Sequence, residues 1–191
     1  ASTTVSIATL VSSLSILGVP IGVQRFLGKT FGNRDASSFR FYFMSAMTLL
    51  ILSCGVAVLI LVSLSGFVSS SIGIPIPFII IAATMAFTSG LASLFGVAFT
   101  ASIHTDISLY SGVIASAARL ALGILLILVG LDALGVAVGY LIFSVVSLAF
   151  LTILSMRLLG LLVPRLTLLH TKEIVQAGLV NWVPTIIATV G

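Results

Sequence analysis

The sequence predicts an all-α, polytopic bundle of transmembrane helices, because it is too apolar for a soluble fold and its apolar runs are long. Of its 191 residues, 60% are hydrophobic and only 6% are charged, and the mean hydropathy is +1.38. Soluble domains carry about a quarter charged residues, so this composition is suited to a lipid environment. The apolar runs do not alternate with polar residues, which favours helices over the strands of a membrane barrel.

Six apolar segments follow one another along the chain. A helix needs about 20 residues to cross a hydrocarbon core of about 30 Å, and each segment reaches or approaches that length. The predicted segments are Thr3–Val23, Phe41–Phe67, Ile76–Thr100, Ser111–Leu131, Ala133–Leu154 and the stretch from Ile174 to Gly191. Since the last apolar stretch runs into the final residue, we expect the chain to be part of a larger protein.

The distribution of Lys and Arg predicts which connections face the cytoplasm. Seven of the eight basic residues lie in two connections, Arg25–Arg40 and Arg157–Glu173. Basic residues that flank apolar helices are retained on the cytoplasmic side, so both connections are predicted to be cytoplasmic loops. Alternation then places the N-terminal end, Val68–Pro77 and Asp132 outside.

Several kinds of functional site are not indicated by the sequence. A single cysteine, Cys54, provides neither an internal disulfide nor a multi-cysteine metal site. There is no Ser/His/Asp set, no metal-spaced cluster and no phosphate-binding glycine loop, so we expect no enzyme activity, no metal and no cofactor. The net charge of +4 is diluted among apolar runs, which argues against a nucleic-acid partner.

Arg119 is the exception among the basic residues, because it lies inside a predicted span. It is eight residues into the fourth segment, about 12 Å from the cytoplasmic end. A charge at this depth costs from about 2.5 to more than about 10 kcal/mol unless it faces a bundle interior or a wet cavity. All four acids of the chain fall in connections, namely Asp35, Asp106, Asp132 and Glu173. Arg119 is therefore predicted either to contact an anionic ligand or a distant partner, or to extend toward the interface.

Small residues, prolines and aromatic residues give further predictions about packing. Small residues four apart let helices approach closely, and they occur at Ala86/Gly90, Ala92/Gly96, Gly112/Ser116 and Gly135/Gly139. Kinks are predicted at Pro20 and Pro184. The aromatic residues expected to lie in an interfacial belt are Phe39, Phe41, Tyr42 and Phe43.

A family resemblance rests on three stretches of the sequence. In Ala8–Phe43, a Pro-x-x-x-x-Arg pattern from Pro20 to Arg25 ends a helix and leads into a basic loop with a Gly-Asn turn. This stretch resembles the second helix and following loop of the prokaryotic polysaccharide-biosynthesis flippases, in the multidrug/oligosaccharidyl-lipid/polysaccharide exporter superfamily. Phe95–Leu154 is similar to the fourth to sixth helices of these proteins, and "TKEIVQAGLVNWVPTIIATVG" to the start of the seventh.

The resemblance implies an exporter of twelve or more helices in two lobes. Residues 1–173 would hold five spans of the first lobe, and residues 174–191 the truncated start of the first helix of the next lobe. The implied function is to flip a polyprenyl-phosphate-linked oligosaccharide across the plasma membrane of a prokaryote, for surface polysaccharide assembly. The implied partners are the bilayer, the lipid-linked glycan and the missing second lobe, and the candidate substrate-binding residues are Arg119, Arg25 and Asn181.

Two alternative functions stay open at this stage. A cation-coupled multidrug exporter of the same superfamily would be expected to carry a carboxylate inside its spans, and this chain has none. A non-transporting structural membrane subunit would be equally compatible with the small-residue packing faces. A second half with further cations facing a cavity would favour the flippase, whereas acids at mid-span would favour the drug exporter.

Overall fold

The computed structural model describes residues 19–159 and 171–178, and the regular elements in these residues are all helical. The elements are α1 (Val19–Gly32), α2 (Ala36–Ser63), α3 (Ser65–Ile72), α4 (Ile76–Ala101), α5 (Thr105–Leu126), a π-helical turn (Ile127–Leu131), α6 (Asp132–Leu158) and α7 (171–178). This confirms the predicted all-α helical bundle.

Three helical stretches of the described chain are long and apolar enough to cross a membrane. They are Ala36–Ser63, Ile76–Ala101 and Thr105–Leu158. The protein is therefore a membrane-embedded helical protein, as its composition predicts.

The third stretch is a hairpin of two helices rather than one long helix. The chain reverses at the π-helical turn, where Gly130 has φ 92° and Asp132 has φ 35°. Gly130 suits this reversal because glycine adopts positive φ without steric cost. Helices α5 and α6 then pack along each other more extensively than any other pair in the described chain. The fourth and fifth predicted segments are thus two helices that meet at this turn.

Helix α4 occupies the centre of the bundle. It packs against α1, α2 and α6, whereas α5 packs mainly on α6 and contacts α4 less extensively. Its buried residues Leu94, Phe95 and Phe99 belong to the same core cluster as Phe43 and Leu50 of α2. The rings of Phe43 and Phe95 lie 5.3 Å apart, so the central contact is largely aromatic and aliphatic.

The predicted loop Arg25–Arg40 is mostly helical, which corrects that prediction. Helix α1 continues to Gly32 and α2 begins at Ala36, so only three residues connect them. The reason is local: no proline lies between Arg25 and Gly32, and Leu27 continues the buried face of α1. Asp35 then caps α2 by accepting a hydrogen bond from the Ser38 backbone N–H at 3.1 Å.

The length of α2 explains how charged residues sit on a transmembrane helix. Its 28 residues extend about 42 Å, whereas the hydrocarbon core is about 30 Å thick. The first turns of α2 therefore project beyond the apolar core, and they carry Arg40, which is exposed.

The other predicted boundaries differ from the structure where caps or breaks intervene. The connection predicted at Val68–Pro77 contains the end of α3, and Gly73 terminates that helix in the left-handed conformation, with φ 71°. Helix α4 agrees with its predicted range to within one residue. Helix α5 begins at Thr105, six residues before the predicted Ser111, with Asp106 in its first turn, where a negative charge is favourable.

The α1–α2 turn, the α4–α5 turn and the end of α6 lie together at one end of the bundle. A cavity of about 500 Å³ is lined by Arg34 of the α1–α2 turn, Ile103 of the α4–α5 turn and Leu158 at the end of α6. Most of the basic residues belong to this end, which we call the basic end. The described basic residues there are Arg25, Lys29, Arg34, Arg40, Arg157 and Lys172.

Helix α7 is held against α1 by direct backbone contact. A Cβ atom placed on Gly22 would lie 2.5 Å from the carbonyl oxygen of Ile174 and 2.9 Å from the Cα of Gly178. No side chain larger than hydrogen fits at this position without movement of the backbone. A second contact comes from Tyr42, whose hydroxyl donates to Glu173 at 3.3 Å.

Candidate functional site

Arg119 lies deeper along its helix than the sequence predicted. It is about 21 Å from the first residue of α5 at 1.5 Å per residue, because that helix starts earlier than expected. The side chain is half-buried, and its Cζ lies 4.6 Å from the centroid of the Tyr140 ring and 6.0 Å from that of Phe143. Both rings belong to α6, so the hairpin brings the arginine and its aromatic neighbours to the same level.

Glycine residues on α6 let the side chain of Arg119 pack closely on that helix. A Cβ on Gly139 would lie 3.4 Å from the Cα of Gly123 and 3.6 Å from the Cγ of Arg119. The aliphatic stem of Arg119 therefore packs on a bare backbone, and the guanidinium reaches the ring of Tyr140 one residue further on. This close contact confirms the packing predicted for the pair Gly135/Gly139.

Aromatic rings, rather than carboxylates, compensate the charge of Arg119. A guanidinium within about 6 Å of a ring centroid is attracted to the ring face by about 0.5–2 kcal/mol, depending on desolvation. The four acids of the chain lie at helix ends or connections. Across residues 19–159 and 171–178 the guanidinium makes no hydrogen bond. Its planar set of N–H donors is thus free to bind the oxygens of a ligand.

A small cavity of about 200 Å³ lies beside Arg119. It is lined by Arg119 and Tyr140 and otherwise by apolar residues and glycines of the hairpin. In this low-polarity setting, a charge-assisted hydrogen bond from Arg119 is stronger than it would be in water.

A second and larger cavity begins next to Phe143. This groove has a volume of about 380 Å³ and lies between α4 and α5, over the surface of α6. Seven hydroxyl side chains line it, and we call it the hydroxyl groove. They are Ser89, Ser93 and Thr100 on α4, Ser108 and Ser111 on α5, and Ser144 and Ser147 on α6. Phe143, which also lines the groove, connects it to the site of Arg119.

The groove was not predicted from the sequence, although the sequence carries a signal for it. On α4, Ser89, Ser93, Gly96 and Thr100 recur at helical spacing on one face. Ser108 and Ser111 on α5, and Ser144 and Ser147 on α6, repeat the same spacing. Three faces of this kind, on three helices that pack together, form a polar lining inside an otherwise apolar bundle.

Three residues of the predicted close-packing pairs line the groove, namely Ala92, Gly96 and Gly112. A Cβ on Gly112 would meet nothing within 4 Å, and a Cβ on Gly96 would meet only the hydroxyl of Ser108, at 3.6 Å. The close helix approach predicted for Gly112/Ser116 is therefore wrong at Gly112, whereas Gly96 approaches α5 at Ser108 and Ala92 is buried in the core. The missing side chains leave open space between α4 and α5, and both of these helices pack on α6.

The hydroxyls of the groove differ in their hydrogen-bond partners. Ser93 donates to the Gly90 carbonyl at 2.7 Å, and Thr100 donates to the Gly96 carbonyl at 2.9 Å. Ser111 and Ser147 share a hydrogen bond of 2.9 Å across α5 and α6. The hydroxyl of Ser108 has no hydrogen-bond partner among the residues that the structure describes.

The structure does not bring the three predicted site residues together. Arg25 is exposed on α1, which packs on α2 and α4, whereas Arg119 is on α5 at the opposite edge of the bundle. Asn181 lies outside the described residues, as does Pro184. The kink predicted at Pro20 involves residues before Val19, which also lie outside them.

The cavity at the basic end carries both signs of charge. Asp35 lines it beside Arg34, and hydrogen bonds from Ser38 and Ser37 lower the pKa of the Asp35 carboxyl to about 2. The carboxylate therefore stays ionised throughout the physiological pH range. Ile103, at the rim, is 82% exposed and has φ 63°, an unusual conformation for a β-branched residue.

No group of three or more His, Cys, Asp or Glu side chains that could hold a metal ion occurs within the described part of the chain. Comparisons with protein-family models, with curated proteins and with solved structures found no match for this chain. Arg119 with its two rings, the hydroxyl groove and the basic end are the features from which a function is inferred.

Proposed function

We propose that this chain is one lobe of a membrane transporter that flips a polyprenyl-phosphate-linked oligosaccharide across the plasma membrane of a prokaryote. The proposal includes membership of the polysaccharide-biosynthesis flippases that the sequence resembles. The observation that carries it is Arg119, a half-buried guanidinium well inside a long apolar helix, whose neighbours are aromatic rings rather than carboxylates.

The chemistry of Arg119 suits a phosphate or pyrophosphate group. Arginine presents a rigid fork of N–H donors that matches phosphate oxygens, and these bonds are roughly twice as strong as neutral ones. The rings of Tyr140 and Phe143 stabilise the cation without using its donors. An anion that arrives from the membrane surface therefore finds a cation that is already desolvated in part and correctly placed.

The basic end supports an orientation for the lobe. Basic residues beside transmembrane helices favour the cytoplasmic side, so we place the cavity lined by Arg34 and Ile103 in the cytoplasm. The exposed Arg25 and Lys29, one turn apart on α1, would then attract the anionic head group of a lipid-linked substrate. Arg119 lies about 21 Å along α5 from the first residue of that helix, and we propose that the head group passes at this level.

The decisive experiment substitutes Arg119 in the full-length protein and measures surface glycan assembly in cells at matched protein abundance. Arg119→Ala and Arg119→Gln are expected to lower export more than about tenfold, because a charge-assisted contact contributes about 1.5–3 kcal/mol. Arg119→Lys is expected to restore activity in part, since it keeps the charge but loses the planar fork.

Arg157→Ala is the matched control for this series. It removes the same charge from an exposed position at the end of α6, and we expect normal export. Normal export by Arg119→Ala at equal abundance would contradict the proposal. Loss of the protein itself from the membrane would instead indicate a structural ion pair with another part of the protein.

A further inference from the structure

We infer that the hydroxyl groove binds a neutral sugar ring of the substrate, directly beside the phosphate held at Arg119. The inference rests on the proposed function and assigns a second part of the substrate to a second cavity. The observations behind it are the volume of the groove, the state of its hydroxyls and its position relative to Phe143.

The groove is a built space rather than a packing defect. Its volume of about 380 Å³ lies within the range of about 300–1,000 Å³ that is typical of ligand sites. Gly96 and Gly112 keep it open, because neither meets the backbone of a neighbouring helix. In a lipid-embedded bundle, helices with glycine faces normally approach closely, whereas the groove leaves space beside Gly112.

The lining is polar but uncharged, which selects the kind of ligand. No Asp, Glu, Lys or Arg lines the groove. Ser93 and Thr100 use their protons within their own helix, so they present acceptor lone pairs to the cavity. Ser108 both donates and accepts. A sugar hydroxyl also donates and accepts, whereas a cation would find no countercharge and an anion would meet mostly acceptors.

Phe143 joins the two parts of the site. Its ring lines the groove and lies 6.0 Å from the Cζ of Arg119. The apolar C–H face of a pyranose packs well on an aromatic ring, and such rings commonly accompany a few polar groups in ligand sites. A sugar on Phe143 would therefore have its linked phosphate within reach of the guanidinium, as a single sugar–phosphate molecule requires.

Hydroxyl side chains in membrane proteins also form hydrogen bonds that only join two helices. Such hydrogen bonds occur at the groove. Ser111 with Ser147, and Thr88 with Ser144 at 2.8 Å, hold helices together. Ser93, Thr100 and Ser108 differ from these pairs, since among the described residues none of them bonds to another helix. Their hydroxyls are the ones that we assign to the sugar.

The test measures binding to the purified full-length protein in nanodiscs. The probes are undecaprenyl pyrophosphate and the same lipid bearing one N-acetylglucosamine. The wild-type protein is expected to bind the glycosylated lipid about fivefold more tightly, the equivalent of one or two neutral hydrogen bonds. Gly112→Leu fills the groove and is expected to abolish this preference without changing the affinity for undecaprenyl pyrophosphate.

Two further variants keep the result interpretable. Gly55→Leu is the matched control on α2, since a Cβ there also meets nothing within 4 Å. It is expected to retain the sugar preference. The double variant Ser93→Ala with Ser108→Ala leaves the backbone and volume nearly unchanged and is expected to reduce the preference to about twofold. It provides the same test if Gly112→Leu fails to fold.

The outcomes separate this inference from the proposed function. Failure of the wild-type protein to bind either lipid would overturn both. Binding of both lipids that depends on Arg119, with no preference for the sugar, would overturn the sugar site and leave the proposed function standing. A sugar preference that survives both Gly112→Leu and the double serine variant would also overturn the assignment to this groove.

Discussion

The α5–α6 contact and the hydroxyl groove both contain glycine residues, but these glycines have opposite effects on helix packing. Gly123 and Gly139 bring two backbones together, with a Cβ on Gly139 only 3.4 Å from the Cα of Gly123. Gly96 and Gly112 lie on α4 and α5, yet a Cβ on Gly112 would meet nothing within 4 Å. A glycine in a membrane helix thus creates either a contact or a space, and the neighbouring helix decides which.

The cause of the difference is the position of α6. Helix α6 presents Gly135 and Gly139 to α5, so glycine meets backbone or a thin arginine stem. Further along, α6 presents Phe143, Ser147 and Leu151, and these larger side chains form the floor on which the groove rests. Helices α4 and α5 pack separately on α6 and do not close over this floor.

The largest effect is expected at Gly22, the tightest of the close contacts. Gly22→Ala places a Cβ 2.5 Å from a backbone oxygen of α7, which requires the two helices to separate. We expect a loss of about 3 kcal/mol or more, the upper end for overpacking. Measured by thermal unfolding in detergent, the apparent midpoint should fall by about 10 °C. Gly28→Ala, on the same helix with open space around it, should leave the midpoint unchanged or raise it.

The second prediction compares how the same added methyl group changes the stability of the protein at two positions. Gly135→Ala places a Cβ 3.1 Å from the backbone nitrogen of Ile127 and should destabilise the protein by about 1–2 kcal/mol. Gly112→Ala adds the same methyl group to open space, and alanine has the higher helix propensity, so a gain of about 0.5–1 kcal/mol is expected. Thermal unfolding of the two variants in parallel measures both. If both variants changed the stability in the same direction, this would contradict the distinction between a close contact at Gly135 and open space at Gly112.

The smallest effect is expected for the hydrogen bond between Ser111 and Ser147 across α5 and α6. Interhelical hydrogen bonds in membranes contribute about 0.6 kcal/mol on average. A double-mutant cycle with Ser111→Ala and Ser147→Ala should therefore give a coupling of about this size. Ser70→Ala, which removes an exposed hydroxyl bonded only within α3, serves as a control. A coupling above about 2 kcal/mol would contradict this prediction, because it would exceed what an ordinary interhelical hydrogen bond contributes in a membrane.

The sequence was sufficient to predict where the chain is helical but not where most helices end. Apolar length and the lack of alternation predict spans in lipid, and α4 agrees to within one residue. The loop predicted at Arg25–Arg40 failed because charge was used to mark the end of a helix. Arginine and lysine are good helix formers, and the real signals were Gly32, Asn33 and the capping Asp35.

Neighbours across helices explain the remaining errors. The aromatic residues predicted to form an interfacial belt divide: Phe39 and Phe43 are buried in the core, whereas Phe41 is 49% exposed. Arg119 was identified from its lack of an acidic partner, but its contact with Tyr140 depends on the register of the hairpin. The hydroxyl groove requires three helices to be placed side by side, which no single face of α4, α5 or α6 reveals.

The short connection between α5 and α6 has a consequence for biogenesis. Arg119 would impose a large insertion penalty on α5 if that helix entered the lipid alone. The π-helical turn leaves no linker between the two helices, so the next helix to leave the ribosome is already beside it. Tyr140 can then cover the guanidinium within the hairpin. We therefore expect the two helices to integrate as one unit, with Tyr140 and Phe143 beside the guanidinium.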